Sequence, residues 1–180
     1  MRVIAGMAKG VRLQTLEGEA TRPTTERVKE ALMSAVQFDI EGRRVLDLFA
    51  GSGQLGIEAL SRGAASCVFV DRSSEAVAVI RKNAQAAGVF GASRVLCTDA
   101  VDFLAHTKEY FDLVFLDPPY AADLLLPTLQ AVEPQLKAGA VVMAESDGNV
   151  TLPDRIGGLA LQKVYRYGRI FLRKYVEVSE

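Results

Sequence analysis

Two short stretches hold the residues whose types and spacing could do chemistry. The first is Asp117-Pro118-Pro119-Tyr120. Its two prolines remove two N–H donors and stiffen the backbone. That leaves the Asp117 carboxylate and the Pro118 carbonyl as acceptors able to face one point. A planar amine placed there donates both protons, and its nitrogen lone pair can develop toward an electrophile. Tyr120 adds a flat face on which an extruded base can stack. Taken by itself the tetrapeptide is an ordinary Asp-Pro turn. It gains meaning from the second stretch, Val45 to Gly56, which supplies a place for the electrophile.

Val45, Leu46 and Leu48 form the short apolar run of a central parallel strand covered on both faces. Phe49, Ala50, Gly51 and Gly53 then make a turn in which glycine permits backbone angles and ligand approach that a side chain would block. Gly56 lets the following helix pack close to the strand, and the helix start offers free N–H groups to whatever sits over the glycines. Gly-x-Gly-x-x-Gly alone is a weak signal for a dinucleotide. Asp47 precedes it, and a carboxylate beside the turn repels a pyrophosphate but suits a cationic amino group. S-adenosylmethionine carries such an amine and no phosphate.

Those two stretches need a scaffold that brings them to one edge. Strand-like runs at 67–71, 94–97, 113–116 and 141–145 alternate with helical spacing, which gives a parallel sheet. Runs at 159–164 and 170–176, joined through Tyr167-Gly168, add a closing hairpin. Parallel α/β sheets bind ligands at the carboxyl ends of their strands. Asp47, Asp71, Asp99, Asp117 and Glu145 all fall there. Asp71, with Arg72 beside it, is placed to meet ribose hydroxyls. Asp99 is placed to meet an adenine amino group, with the Ala100 N–H on a ring nitrogen. A single strand-end acid is as often a helix cap.

Ahead of this scaffold, Arg2 to Ala5 and Val11 to Thr15 read as a small hairpin around Gly6 and Gly10. Thr21-Arg22-Pro23-Thr24-Thr25-Glu26-Arg27 reads as a helix start. Val28, Ala31, Leu32, Ala35 and Val36 give that helix its buried face. Arg22, Arg27 and Lys29 are left for a ligand-facing role.

The 180 residues suffice for one full core, and 49% hydrophobic with 24% charged residues describes a globular chain. No run is long enough to span a membrane and no secretory leader is visible. The single histidine, His106, is expected at the surface, and Cys67 and Cys97 as buried thiols in a reducing compartment. No metal site is expected. The net charge of −1 conceals an asymmetry. Residues 1–44 carry eight Lys/Arg against six Asp/Glu, residues 45–154 seven against fourteen, and residues 155–180 six against two. Two basic ends flank an acidic middle, so a basic face can coexist with a near-neutral total.

The Asp47 and Asp117 stretches resemble the cofactor and catalytic loops of class I S-adenosylmethionine-dependent amino-methyltransferases. Arg2-Val-Ile-Ala-Gly with Lys9-Gly10, followed by Thr21-Arg-Pro-Thr-Thr-Glu-Arg-Val-Lys-Glu-Ala-Leu, is similar to the bacterial 16S ribosomal RNA guanine-N2 methyltransferases of the small-subunit methyltransferase D type. The resemblance covers nearly the whole chain. It implies a Rossmann-like α/β fold with a seven-stranded, mostly parallel sheet, one strand antiparallel, and a hairpin extension over 1–20 before a methyltransferase domain over 21–180. It implies S-adenosylmethionine as methyl donor, with S-adenosylhomocysteine as product, and a guanine of 16S RNA in the small subunit as acceptor. The implied site has Asp117, Pro118, Pro119 and Tyr120 at the amine. Asp47, Phe49, Ala50, Gly51, Gly53, Asp71, Arg72, Asp99, Ala100 and Asp117 lie around the cofactor. Lys9, Arg12, Arg22, Thr24, Arg27, Arg166 and Arg169 contact RNA. A monomer in the cytoplasm is expected. Three rivals stand beside this reading: a DNA adenine-N6 methyltransferase, a nicotinamide-dependent oxidoreductase, and a non-catalytic RNA-binding assembly factor.

Overall fold

Four apolar runs lie side by side in parallel register at the centre of the computed structural model, which describes residues 1–18, 25–119 and 122–178. They are β1 (Arg44–Leu48), β2 (Ser66–Asp71), β4 (Phe111–Leu116) and β5 (Leu136–Asp147), with β3 (Ser93–Cys97) parallel to β2 at one edge. Beyond β5 the sheet turns antiparallel through β8 (Ile170–Glu177), β7 (Leu159–Tyr167) and the two-residue β6 (Arg155–Ile156). The order is β3-β2-β1-β4-β5-β8-β7-β6. The mostly parallel α/β sheet is the one the sequence leads one to expect. Among the described residues Arg155–Ile156 raises the strand count to eight, and β8 and β6 run against the rest.

Alternation along each central strand feeds two cores. Val45, Phe69, Leu113, Phe115, Val141 and Met143 face α1 (Thr25–Ala35), α2 (Gln54–Ser61) and α3 (Ser74–Ala86). Leu46, Leu48, Val70, Val114, Leu116 and Val142 face α4 (Ala100–His106) and α5 (Ala122–Val132). Burial on both faces is why these strands read as unbroken apolar runs. The helix ends follow side-chain chemistry. Ser73 Oγ accepts the Ala76 N–H at 3.2 Å to start α3, and Asp99 Oδ1 accepts from Val101 N and Asp102 N to start α4.

The N-terminal segment is bound into the first core through Val3, Ala8 and Leu13. Its expected hairpin is held by one antiparallel bridge, Arg2 with Arg12, and by main-chain bonds from Val3 N to Val11 O and from Leu13 N to Met1 O. Further polar contacts run to α2. The Ile4 and Ala5 N–H groups donate to the Glu58 carboxylate, and Ala8 N donates to Ser61 Oγ. Gly6 has φ +85°, and a Cβ there would lie 1.9 Å from the Ser61 carbonyl oxygen, so only glycine docks this closely.

Lys29 departs from its expected ligand-facing role. It is 3% exposed and sits 3.2 Å from Glu58 Oε2, inside the seam between α1 and α2. Burial pulls its ammonium pKa down, opposed by Glu58. Cys67 is buried as expected, and burial raises its thiol pKa well above the ordinary value, with Asp47 adding to the rise. Cys97, at the end of edge strand β3, is exposed instead. His106 is exposed, as expected.

Candidate active site

The carboxyl ends of β1, β2, β3 and β4 open onto one cavity of about 440 Å³, a size ordinary for small-molecule sites. Phe49 and Gly51 come from β1's exit, Val70, Asp71 and Arg72 from β2's, and Thr98, Asp99, Ala100 and Val101 from β3's. Asp117, Pro118 and Pro119 come from β4's exit, Leu124 from α5, and Glu17 and Gly18 from the N-terminal segment. Tyr120, Arg22 and Thr24 lie outside the described residues.

The glycine turn is conformationally unusual. Phe49 is the one non-glycine residue at positive φ (57°) among the described residues, and Gly51 and Gly53 follow at 59° and 81°. A bulky residue held in the left-handed region costs energy, and such residues cluster at ligand sites. Asp71 fixes the turn: its Oδ2 accepts the Gly51 N–H at 2.9 Å and its Oδ1 the Ser73 N–H at 2.9 Å. Asp71 therefore orders the loop in addition to facing the cavity. Asp99 likewise caps α4 while lining the wall.

Asp47, expected beside the turn to suit a cationic ligand group, also has a partner within the protein. Its strand position points it toward the α2 face, where it is 2% exposed. Its Oδ2 accepts the Gly56 N–H at 3.0 Å. The N-cap Gly53 has no side chain to offer α2, and Asp47 supplies the missing acceptor and a favourable anion at the helix start. Asp47, Ala50 and Gly53 are not among the residues that line the cavity. One N–H of the helix start, that of Gly56, is thus engaged within the protein. Gly56 itself allows the close packing expected of it, since a Cβ there would fall 2.3 Å from Phe69 Cε1.

Among the described residues the cavity wall carries four carboxylates (Glu17, Asp71, Asp99, Asp117) against one guanidinium (Arg72). Such a wall repels a pyrophosphate and suits a ligand with cationic groups and donor hydroxyls. Among the described residues no group of three or more His, Cys, Asp or Glu is arranged to hold a metal ion, and no helix is long and apolar enough to cross a membrane.

Comparison with known proteins bears on the same point. Residues 1–176 match the family described as Conserved hypothetical protein 95. "Ribosomal RNA small subunit methyltransferase D" of Escherichia coli is 33% identical over 97% of this chain and 89% of its own length. The chain belongs to the small-subunit methyltransferase D family. "Putative rRNA methyltransferase YlbH" of Bacillus subtilis is 39% identical over 93% of this chain and 94% of its own length. The solved structure titled "Putative methyltransferase yhhF from Escherichia coli" superposes with a TM-score of 0.90 at 32% identity, covering 100% of this chain and 99% of that one.

In this member of the family, two residues missed in the sequence tie the site together. Asn83, 1% exposed on α3, accepts the Gln14 N–H at 2.7 Å. It donates to the Gln14 carbonyl and to the Ser52 carbonyl, each at 2.9 Å. It thereby joins the N-terminal wall, just before Glu17, to the glycine turn. Glu58, fully buried on α2, gathers Ile4 N, Ala5 N, Lys29 and Arg62. Both residues are polar at positions of helical apolar faces, which was the available signal. Of the basic residues expected at RNA, Lys9, Arg12, Arg27, Arg166 and Arg169 are exposed. Arg166 and Arg169 flank the β7–β8 turn, which register places at the cavity edge of the sheet because Ile170 pairs with Asp147. Lys9 follows a turn docked on Ser61, the last residue of α2, and so lies toward the opposite edge.

Proposed function

We propose that this chain transfers a methyl group from S-adenosylmethionine to the exocyclic N2 amine of a guanine in 16S ribosomal RNA of the small subunit. The observation that carries the reading is the acid-lined cavity in which Asp117-Pro118-Pro119 leaves β4 beside the Phe49–Gly51 turn that leaves its neighbour β1. The names of the family relatives support ribosomal RNA as the substrate class. Residues 1–20 act as an extension docked on a methyltransferase domain over 21–180, and one chain works alone without a metal.

The residues fit the donor. Asp71 and Asp99 present carboxylate oxygens along the wall where ribose hydroxyls and an adenine amine need acceptors, and Arg72 and Ala100, the residues that follow them, line the same wall. Phe49 supplies an apolar surface, and Gly51 leaves room for close approach. S-adenosylmethionine supplies, when bound, an activated methyl group on a sulfonium sulfur.

At the acceptor end, Asp117 and the Pro118 carbonyl take the two N–H bonds of the guanine amine and orient its lone pair toward the cavity. The same two oxygens stabilise positive charge as it grows on nitrogen. Positioning provides most of the acceleration, so no strong base is required beforehand. Tyr120 offers the stacking face, and the basic residues at the chain's two ends hold RNA backbone.

The test is methyl transfer from labelled donor to small subunits or 16S RNA from cells lacking the modification, followed by nucleoside digestion. N2-methylguanosine supports the proposal. Label in N6-methyladenine of DNA would establish the rival enzyme, and RNA binding without label the assembly factor.

A further inference from the structure

We propose that the tip of the β7–β8 hairpin grips the phosphate backbone of the RNA beside the catalytic loop, with Phe171 as the positioning residue that holds Arg166 for that contact. This rests on the RNA-methyltransferase reading above. The register dictates the arrangement. Arg166 on β7 and Phe171 on β8 are direct cross-strand partners, so their side chains share one face. The Arg166 guanidinium lies over the Phe171 ring at 5.5 Å, and its Nε donates to the Gly168 carbonyl at 3.3 Å.

The ring itself is braced. Arg173 lies over it at 5.4 Å and is anchored by Ser146 Oγ at 2.6 Å and the Val150 carbonyl at 2.9 Å. Gly148 packs so closely that a Cβ there would fall 3.1 Å from Phe171 Cε2. Arg173 spends its terminal donors inside the protein, whereas Arg166 is exposed and its bond to the protein at Gly168 is made through Nε. A guanidinium stacked on an aromatic ring loses little further freedom when it meets a phosphate, and its paired donors match that group's oxygens.

Position supplies the second strand of the case. Leu116 pairs with Ala144, so the Asp117 loop begins level with Glu145 on β5; Ser146 pairs with Phe171, and Phe171 with Arg166. From β4 to β7 is three strand spacings, about 14 Å at about 4.8 Å each. Nucleotides flanking a base held at Asp117 can span that distance. The rim between them is acidic, so a polyanion finds its attractive contact at Arg166 and Arg169 rather than nearer the cavity.

The experiment compares Arg166→Gln, Phe171→Leu and Phe171→Tyr in the full chain. It measures RNA affinity at several salt concentrations, KM and kcat on small-subunit RNA, S-adenosylhomocysteine affinity and thermal stability. Arg166→Gln should weaken RNA binding several-fold and lower the slope of log affinity against log salt by about 0.7–0.9, one phosphate contact. Phe171→Leu should raise KM about threefold with kcat and the salt slope unchanged, because every charge remains. Phe171→Tyr should restore wild-type KM. Unchanged RNA affinity in Arg166→Gln or unchanged KM in Phe171→Leu overturns the proposal. So does a Phe171→Leu defect that appears equally in stability and S-adenosylhomocysteine affinity. Absence of methyl transfer to small-subunit RNA by the wild-type chain would instead defeat the underlying reading.

Discussion

Asn83→Ala tests whether the N-terminal segment and the glycine turn are held as one unit. The substitution removes three hydrogen bonds, to Gln14 N, Gln14 O and Ser52 O. A typical net contribution is about 0.5–1.5 kcal/mol each. Gln14 is exposed and its backbone groups can rehydrate, which places those two bonds at the low end. Ser52 is 1% exposed, so its carbonyl loses a partner where water is excluded. The expected total is about 2–3 kcal/mol. For a chain this long that lowers Tm by about 4–12 °C, within the stability of an ordinary domain. Asn83→Asp keeps the acceptor for Gln14 N but aims a carboxylate oxygen at two carbonyls. Burial and those carbonyls raise its folded pKa above the unfolded value, so its deficit against wild type should shrink as pH falls. Denaturant unfolding gives the stability, and calorimetry below Tm gives S-adenosylhomocysteine affinity, expected to fall about three- to tenfold through the loosened turn. An unchanged Tm would refute the hydrogen-bond assignment. Lost stability with unchanged affinity would refute the coupling to the turn.

Asp71→Ala should cost about 1.5–3 kcal/mol of stability, since Gly51 N and Ser73 N both lose a charged acceptor. It should also weaken S-adenosylhomocysteine at least about tenfold by calorimetry; unchanged affinity would remove Asp71 from the cofactor wall. Gly6→Ala and Gly10→Ala form a matched pair, because both positions have φ +85° but only at Gly6 does a Cβ meet protein. Gly10→Ala should cost about 1–2 kcal/mol from its backbone conformation, and Gly6→Ala clearly more. Equal urea midpoints would contradict the docking of residues 6–8 on α2.

The rim of the sheet was legible because strand-end acids and glycine turns are local signals. Asp71, Asp99 and Asp117 all reach the cavity, as does Phe49. What a carboxylate does once there was harder to read. Asp99 caps α4 and Asp71 binds the turn while both line the wall, so cap and ligand-facing roles coincide. Asp47 stands close to the glycines in sequence, while strand alternation turns its carboxylate to the α2 face and the Gly56 N–H. Lys29 looks like a ligand-facing cation in the sequence because its partner Glu58 lies on another helix. Asn83 meets Gln14, and Glu58 meets Ile4 and Ala5, each more than fifty residues away in the chain, and no local pattern encodes those meetings. Cys97 looked like core because its strand is apolar, yet β3 is an edge.

The most direct test of the account is single-turnover methylation of small-subunit RNA or particles by Asp117→Ala and Asp117→Asn, measured beside S-adenosylhomocysteine affinity. Removing one preorganised partner of a developing charge costs roughly 10²–10³ in rate, and loss of amine orientation adds to that. Asp117→Ala should therefore lose nearly all transfer while affinity stays near wild type, since Asp71, Asp99 and the Gly51 turn are untouched. Asp117→Asn keeps an acceptor oxygen and should be impaired less. Wild-type rates in Asp117→Ala, or joint loss of fold and cofactor binding, would contradict the assignment of Asp117 to the amine.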